Sequence, residues 1–312
     1  MKSIVHRPGT HRVLSFALLA ALGIVLAGCP SAQRPRLVVF VQGLSPEEIE
    51  ARHPLTDEAR AELTPENVAT LAQWEVDQLY ARLDPGPIPD GPWQGRFFFA
   101  KGGGPSRLSE AIGGLTGRLV DWKLARLDRV GEALWKGKFF FRDEGVLRNM
   151  IDHERVLEEL FDAVPGSVRK QQIGGRTVAL LFPAKLYCGE SLYDTRRESV
   201  IIDYAETDTV EGYVPEIDYL AGSDGLLIRD EVRYVRPGFY LGRAYAKGKL
   251  LLTFTLYNEE AAAAGEGAGE ECWDGRTARA EPQPMDEAPE EDPDDGGEES
   301  GTPRDQKHRE EA

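Results

Sequence analysis

The chain has 312 residues, 41% of them hydrophobic and 29% charged, and carries a net charge of −16, enough apolar sequence for one sizeable core. The charge is uneven: residues 1–28 hold Lys2, Arg7 and Arg12 and no acid, whereas the acids crowd into the stretch after Asn258. With no basic excess to displace counterions from phosphates, nucleic acid is excluded as a partner.

In chain order, the basic start is followed by an apolar run over residues 13–25 and then by Leu26-Ala27-Gly28-Cys29. A charged flank and an apolar run too short to span a bilayer predict a signal peptide over residues 1–28. The ending resembles the bacterial lipobox, which implies cleavage before Cys29 and acylation of that cysteine. Two or three acyl chains, at about 0.8 kcal/mol per buried methylene, would make the membrane the first partner of this protein. Pro30 stands where lipoproteins held in an inner membrane commonly have aspartate, so the resemblance implies an outer-membrane anchor facing the periplasm. Residues 29–35 make a short tether, of which 30–35 reach about 20 Å when extended.

Residues 36–87 predict a strand at 36–41 and then helices. Ser45-Pro46-Glu47-Glu48 has the pattern of a capping box with proline at the first helical position. Thr64-Pro65-Glu66 opens a second helix, along which Val68, Leu71, Ala72, Val76, Leu79, Tyr80 and Leu83 recur at helical spacing. Prolines and glycine over residues 84–90 end it.

Gly91-Pro92-Trp93-Gln94-Gly95-Arg96-Phe97-Phe98-Phe99 then finds a close copy in Trp135-Lys136-Gly137-Lys138-Phe139-Phe140-Phe141. Aromatic runs predict a strand in each copy, and Gly95 and Gly137 allow another backbone or a ring to approach. Between the copies, Gly102-Gly103-Gly104-Pro105 lacks the ending of a phosphate loop and reads as a turn before a helical segment. Residues 152–161 predict a short helix. From Val168 the pattern changes to strands at 177–182, 185–193, 199–205, 226–235, 239–245 and 250–257, joined by tight turns. With the two tryptophan strands that makes about eight, and an antiparallel meander of that number removes its own edges by closing into a barrel. The expectation is a mainly β protein with N-terminal helices, an up-and-down barrel over residues 88–258, and a disordered acidic tail over 259–312.

Few residues suggest chemistry. The period of two along Leu226, Ile228, Asp230, Val232 and Tyr234 puts Asp230 on an apolar face, where a carboxylate must be paired, protonated or used. Arg229 and Arg233 point the other way, so a partner must come from another strand. Asp203 is a similar candidate with an ambiguous face, and Tyr240 could orient a ligand from the barrel wall. His53 and His153 have no second ligand at helical or hairpin spacing, and no nucleophile elbow appears, so neither metal nor cofactor is expected and no catalytic residue is assigned. With Cys29 acylated, Cys188 and Cys272 remain as an even number in an oxidising compartment, available for a bridge.

Gly91-x-Trp93-x-Gly95 resembles the signature of the bacterial GXWXG family. The resemblance extends through Trp135-x-Gly137-Lys138, Ser191-Leu192-Tyr193-Asp194, Ile201-Ile202-Asp203-Tyr204 and Thr209-Val210-x-Gly212, about residues 88–220. It implies a lipocalin-like barrel and no settled activity; the segment between the tryptophan strands is long for the family, and the hairpins over 226–257 have no match in it. Lipocalins also open on a Gly-x-Trp strand, whose indole closes one barrel end beneath an arginine from a late strand, which points to Trp93 and Arg243 here. Three functions are compatible with these residues. The first is a membrane-anchored, non-enzymatic binder of an apolar or amphipathic small molecule. The second is an envelope interaction module whose lumen is packed by Phe97, Phe139, Leu252 and Phe254. The third is an enzyme using Asp230 or Asp203.

Overall fold

The computed structural model describes residues 33–100, 135–152, 168–218, 220–269 and 271–272. Cys29, His153, the segment between the tryptophan strands and the tail after Cys272 lie outside the described residues.

Nine antiparallel strands form one sheet: β1 Gly91–Phe98, β2 Trp135–Phe141, β3 Val146–Asp152, β4 Lys170–Ile173, β5 Arg176–Glu190, β6 Glu198–Asp203, β7 Ile228–Arg236, β8 Phe239–Ala246 and β9 Lys249–Tyr257. Their order is β3-β2-β1-β9-β8-β7-β6-β5-β4, and a further β3–β5 pairing closes the ring. The result is an eight-stranded up-and-down barrel, with β4 added to the outer half of β5. Closure leaves the eight strands of the ring without a free edge. The expected strands at 177–182 and 185–193 are one strand, β5, bent at Phe182, whose φ is 51°, just before Pro183, which has no N–H to donate to the ladder. β3, which periodicity did not reveal, restores the number of barrel strands to eight.

The two copies of the tryptophan motif are neighbouring antiparallel strands, paired Gly91 to Phe140, Trp93 to Lys138 and Gln94 to Gly137. Their glycines meet. A Cβ on Gly137 would lie 2.0 Å from the Trp93 carbonyl oxygen, and one on Gly95 would lie 2.4 Å from the Trp135 ring and 2.6 Å from the Gly137 Cα. Because the copies run in opposite directions, Trp93 faces one end of the barrel and Trp135 the other.

Among the described residues, four short helices, α1 Pro46–Arg52, α2 Asp57–Glu62, α3 Pro65–Val68 and α4 Gln73–Ala81, precede the barrel. Ser45 caps α1 in the expected capping box, and Thr64 caps α3 in the same way with Asn67. The long helix expected from Thr64 is broken between α3 and α4. Val68, Leu71, Val76, Leu79 and Leu83 are fully buried against Val235, Phe239 and Leu241 on the outer wall of the barrel, and each such side chain contributes about 1.5–3 kcal/mol by leaving water. Residues 36–41 do not form the expected strand. Their backbone is held by helix side chains: the Glu62 carboxylate accepts from the amides of Arg36 and Leu37, and the Gln78 amide bridges the N–H and C=O of Val41.

The start of the tail is folded, contrary to the sequence expectation. Asn258 caps a further helix, α5 Glu259–Ala264, whose Ala261 is buried in the main core with Cys272. Cys272 is joined to Cys188 of β5 by a disulfide. None of the described helices is long and apolar enough to cross a membrane.

Candidate functional site

The barrel has two unlike halves. At the end where β1 begins, Ile88, Trp93, Phe140, Leu147, Tyr240 and Leu256 fill the interior, and Ala261 and Cys272 join the same cluster. Trp93 closes this end: its indole N–H donates to the Asp90 carbonyl at 2.9 Å and its ring meets Tyr240 edge-on, centroids 5.2 Å apart. Gly91, at φ 68°, turns the chain into β1.

Arg243 is not above Trp93. Strand β8 alternates Tyr240, Gly242 and Ala244 inward, so a residue three past Tyr240 must face out. There Arg243 pairs with Asp77 of α4 at 2.9 Å and stacks on Tyr193 at 4.2 Å, tying the helices to the barrel. Tyr240 donates its hydroxyl to the Pro87 carbonyl at 2.7 Å and lies on the packed side, away from the cavity. Asp203 is also away from it, accepting from the Tyr187 hydroxyl at 3.0 Å and the Ala205 amide at 2.8 Å. His53 caps α1, and among the described residues no group of three or more His, Cys, Asp and Glu side chains could hold a metal.

The other half holds a cavity of about 270 Å³, at the end where β1 leaves the barrel and β2 returns. Its wall is aromatic and aliphatic: Phe97, Trp135, Phe182, Ile228, Leu252 and Phe254, with Leu220 and Leu226 contributed by the loop between β6 and β7. Asp218 holds that loop to the barrel, accepting from the amides of Phe182 at 2.6 Å and Val214 at 2.9 Å beside Arg148. Burial raises the Asp218 carboxyl above the ordinary range, and these contacts only partly oppose it.

Four polar side chains enter this apolar wall together. Lys138 of β2 donates to Asp230 at 2.9 Å, to the Tyr204 hydroxyl at 2.5 Å and to Asn149 at 3.2 Å. Its ammonium also sits 5.5 Å from the Trp135 ring, 5.2 Å from Tyr204 and 5.3 Å from Phe254, an aromatic surround that favours a cation. Asn149 accepts from the Trp135 indole at 2.9 Å and donates to the Phe182 carbonyl and to Tyr204. Asp230 therefore has the cross-strand partner that its position demands. Burial pushes its carboxyl up, against the pull of Lys138 and Tyr204. Burial would lower Lys138, but Asp230 and Tyr204 outweigh it and raise the ammonium. Burial also pushes the Tyr204 phenol up, to about 12, against the pull of Lys138, so at neutral pH Lys138 is an ammonium and Tyr204 a neutral phenol.

Sequence reasoning singled out none of Lys138, Asn149 and Tyr204 as site residues, and Phe139 is not in the lumen. The positions of Lys138 and Phe139 both stem from a β-bulge between Trp135 and Gly137. Counting by twos from Trp135 would place Phe139 inside and Lys138 outside. The bulge reverses the alternation, so Lys138 and Phe140 enter, while Phe139 and Phe141 stack outside with centroids 4.7 Å apart. In the first copy, which has no such bulge in its pairings, the matching Arg96 stays on the surface beside Glu66.

No family model matches the chain. No curated protein matches it either. A crystal structure of a protein from Thermomonospora curvata is similar at 17% sequence identity and a TM-score of 0.31, over 61% of this chain and 89% of that one.

Proposed function

We propose that the protein is a non-enzymatic binder of a small apolar or amphipathic molecule, anchored to the envelope membrane through an acylated Cys29. The observation that carries this reading is the 270 Å³ cavity with its apolar wall and single polar cluster, the composition of a small-molecule site near the lower end of the usual size range. Cys29, with Leu26-Ala27-Gly28 before it, supplies the membrane part of the proposal. Titration of the full chain with compact apolar compounds is expected to give a saturable change in tryptophan fluorescence, because Trp135 lines the cavity. A flat response across a broad panel would remove the carrier reading. For the anchor, intact mass should show a chain beginning at an acylated Cys29, and Cys29→Ser should leave the membrane fraction; an unmodified Cys29 in the mature protein would refute it.

The packed half of the barrel favours a second reading, an envelope interaction module whose interior is its own core. The enzyme reading needs a second titratable group beside an aspartate. Lys138 meets that condition at Asp230, but its three donors are already engaged with Asp230, Tyr204 and Asn149, so the ammonium has no proton free to give a substrate.

A further inference from the structure

Resting on the carrier reading, we propose that the lumen site takes a neutral hydrogen-bond donor, an alcohol or N–H group on a compact apolar body, and discriminates against carboxylates. The hydrogen-bond inventory of the cluster leaves a single opening. An ammonium has three donors, and those of Lys138 go to Asp230, Tyr204 and Asn149. The Asn149 oxygen accepts from Trp135 and Lys138, and its amide N–H groups go to Phe182 and Tyr204. Tyr204 accepts from Lys138 and Asn149, and its own O–H turns to the Asn149 oxygen at 3.4 Å. Asp230 uses one carboxylate oxygen for Lys138, while the other, Oδ1, is buried with no hydrogen-bond partner. Asp230 is 5% exposed and lines the cavity. An unsatisfied buried acceptor costs about 1–3 kcal/mol, more when it is charged, so a donor arriving there recovers a penalty built into the empty site.

Charge narrows the class further. Lys138 and Asp230 neutralise each other. A carboxylate ligand would bring a negative charge next to Asp230 and find every donor taken. An ammonium ligand would set a second cation beside Lys138 and share one carboxylate with it. A hydroxyl or amide N–H satisfies Oδ1 without upsetting either balance, and its apolar body lies along Phe97, Ile228, Leu252 and Phe254. A site that holds a polar group for its partner in this way rejects analogues that lack it.

The test uses four compounds with one body and different heads: 4-phenylbutanol, 4-phenylbutyrate, 4-phenylbutylamine and butylbenzene. Each is titrated into the full chain and followed by calorimetry and tryptophan fluorescence. The alcohol is expected to bind at least about tenfold more tightly than the carboxylate, the amine or the hydrocarbon. A paired variant, Lys138→Met with Asp230→Leu, removes the ion pair and its open acceptor without stranding a charge, and should bind alcohol and hydrocarbon equally. Binding of the carboxylate or amine as tightly as the alcohol, or an alcohol preference that survives in the paired variant, would overturn the head-group assignment and leave the carrier reading intact. Absence of binding by all four would refute both.

Discussion

At the scale of single residues, the ion pair of Lys138 and Asp230 decides what the lumen is. Both side chains are almost completely buried, and removing one partner strands the other's charge, at a cost of about 3–5 kcal/mol. Lys138→Met alone should therefore destabilise strongly, whereas Lys138→Met with Asp230→Leu should come close to the parent; urea midpoints for the three chains give the comparison. Equal losses in the single and paired variants would mean that the pair is not coupled. The pH dependence has a definite sign. The Lys138 ammonium is raised above the ordinary 10.5, so its contribution is complete below that pH and is lost as the pH rises through the folded value. The stability gap between parent and paired variant should change in that alkaline range, with the parent losing more. Gly137 sets up this geometry. At φ 125°, with the Trp93 carbonyl oxygen 2.0 Å from where its Cβ would be, Gly137→Ala should cost at least about 2 kcal/mol. Gly91→Ala has a positive φ but open space around it and should cost less; equal values would mean that the close approach of the two motif strands contributes nothing.

At the scale of elements, the end of β9 leads into a segment that composition marked as disordered. Gly238 lies against α5: a Cβ there would be 2.3 Å from the Asn258 carbonyl oxygen. The disulfide between Cys188 and Cys272, 84 residues apart in sequence, links the stretch beyond α5 to the barrel wall. Cutting the chain after Asn258 should cost about 2–4 kcal/mol from the lost cross-link alone, whereas a chain ending at Trp273 keeps the helix and the bridge. A denaturant comparison of the two truncations checks this, and a neutral cut after Asn258 would refute the role of α5. The sequence was legible where one element answers one local pattern. The capping box at Ser45, the tryptophan strands and the hairpins from β7 to β9 are all readable from spacing. It was opaque where tertiary contacts reverse the pattern. In β3, Asn149 faces the polar cluster while Met150 packs outside with Val178 and Leu180, an inversion of the usual alternation. In α5, alanines beside two glutamates resemble the acidic tail in composition, and only Ala261 against the core distinguishes the helix. Lys138 stayed hidden because periodicity carries no mark of a bulge, although a glycine inside a strand is the local sign of one.

At the scale of the whole molecule, a motif written twice and folded antiparallel gives the barrel two different ends. Trp93 lies in a filled end, closed further by Tyr240, while Trp135 lies beside space. Eight strands enclose an interior that side chains can fill or that can hold one small ligand, and here each half takes one of those outcomes. The carrier reading therefore depends on whether the space beside Trp135 is a site or an imperfection of packing, and a substitution that fills it separates the two. Ala244 lines the cavity from β8, is 7% exposed, and its small side chain faces Phe254 and Leu252. In Ala244→Phe the added ring enters a void of about 270 Å³, so the usual overpacking cost of about 1–3 kcal/mol is avoided, and contacts missing from the cavity wall are gained. The melting temperature should hold or rise while affinity for 4-phenylbutanol falls at least about tenfold. An unchanged affinity in a folded Ala244→Phe variant would place the ligand outside the lumen. A marked loss of stability would show that the cavity is too narrow for a ring, and so for the ligand class assigned to it.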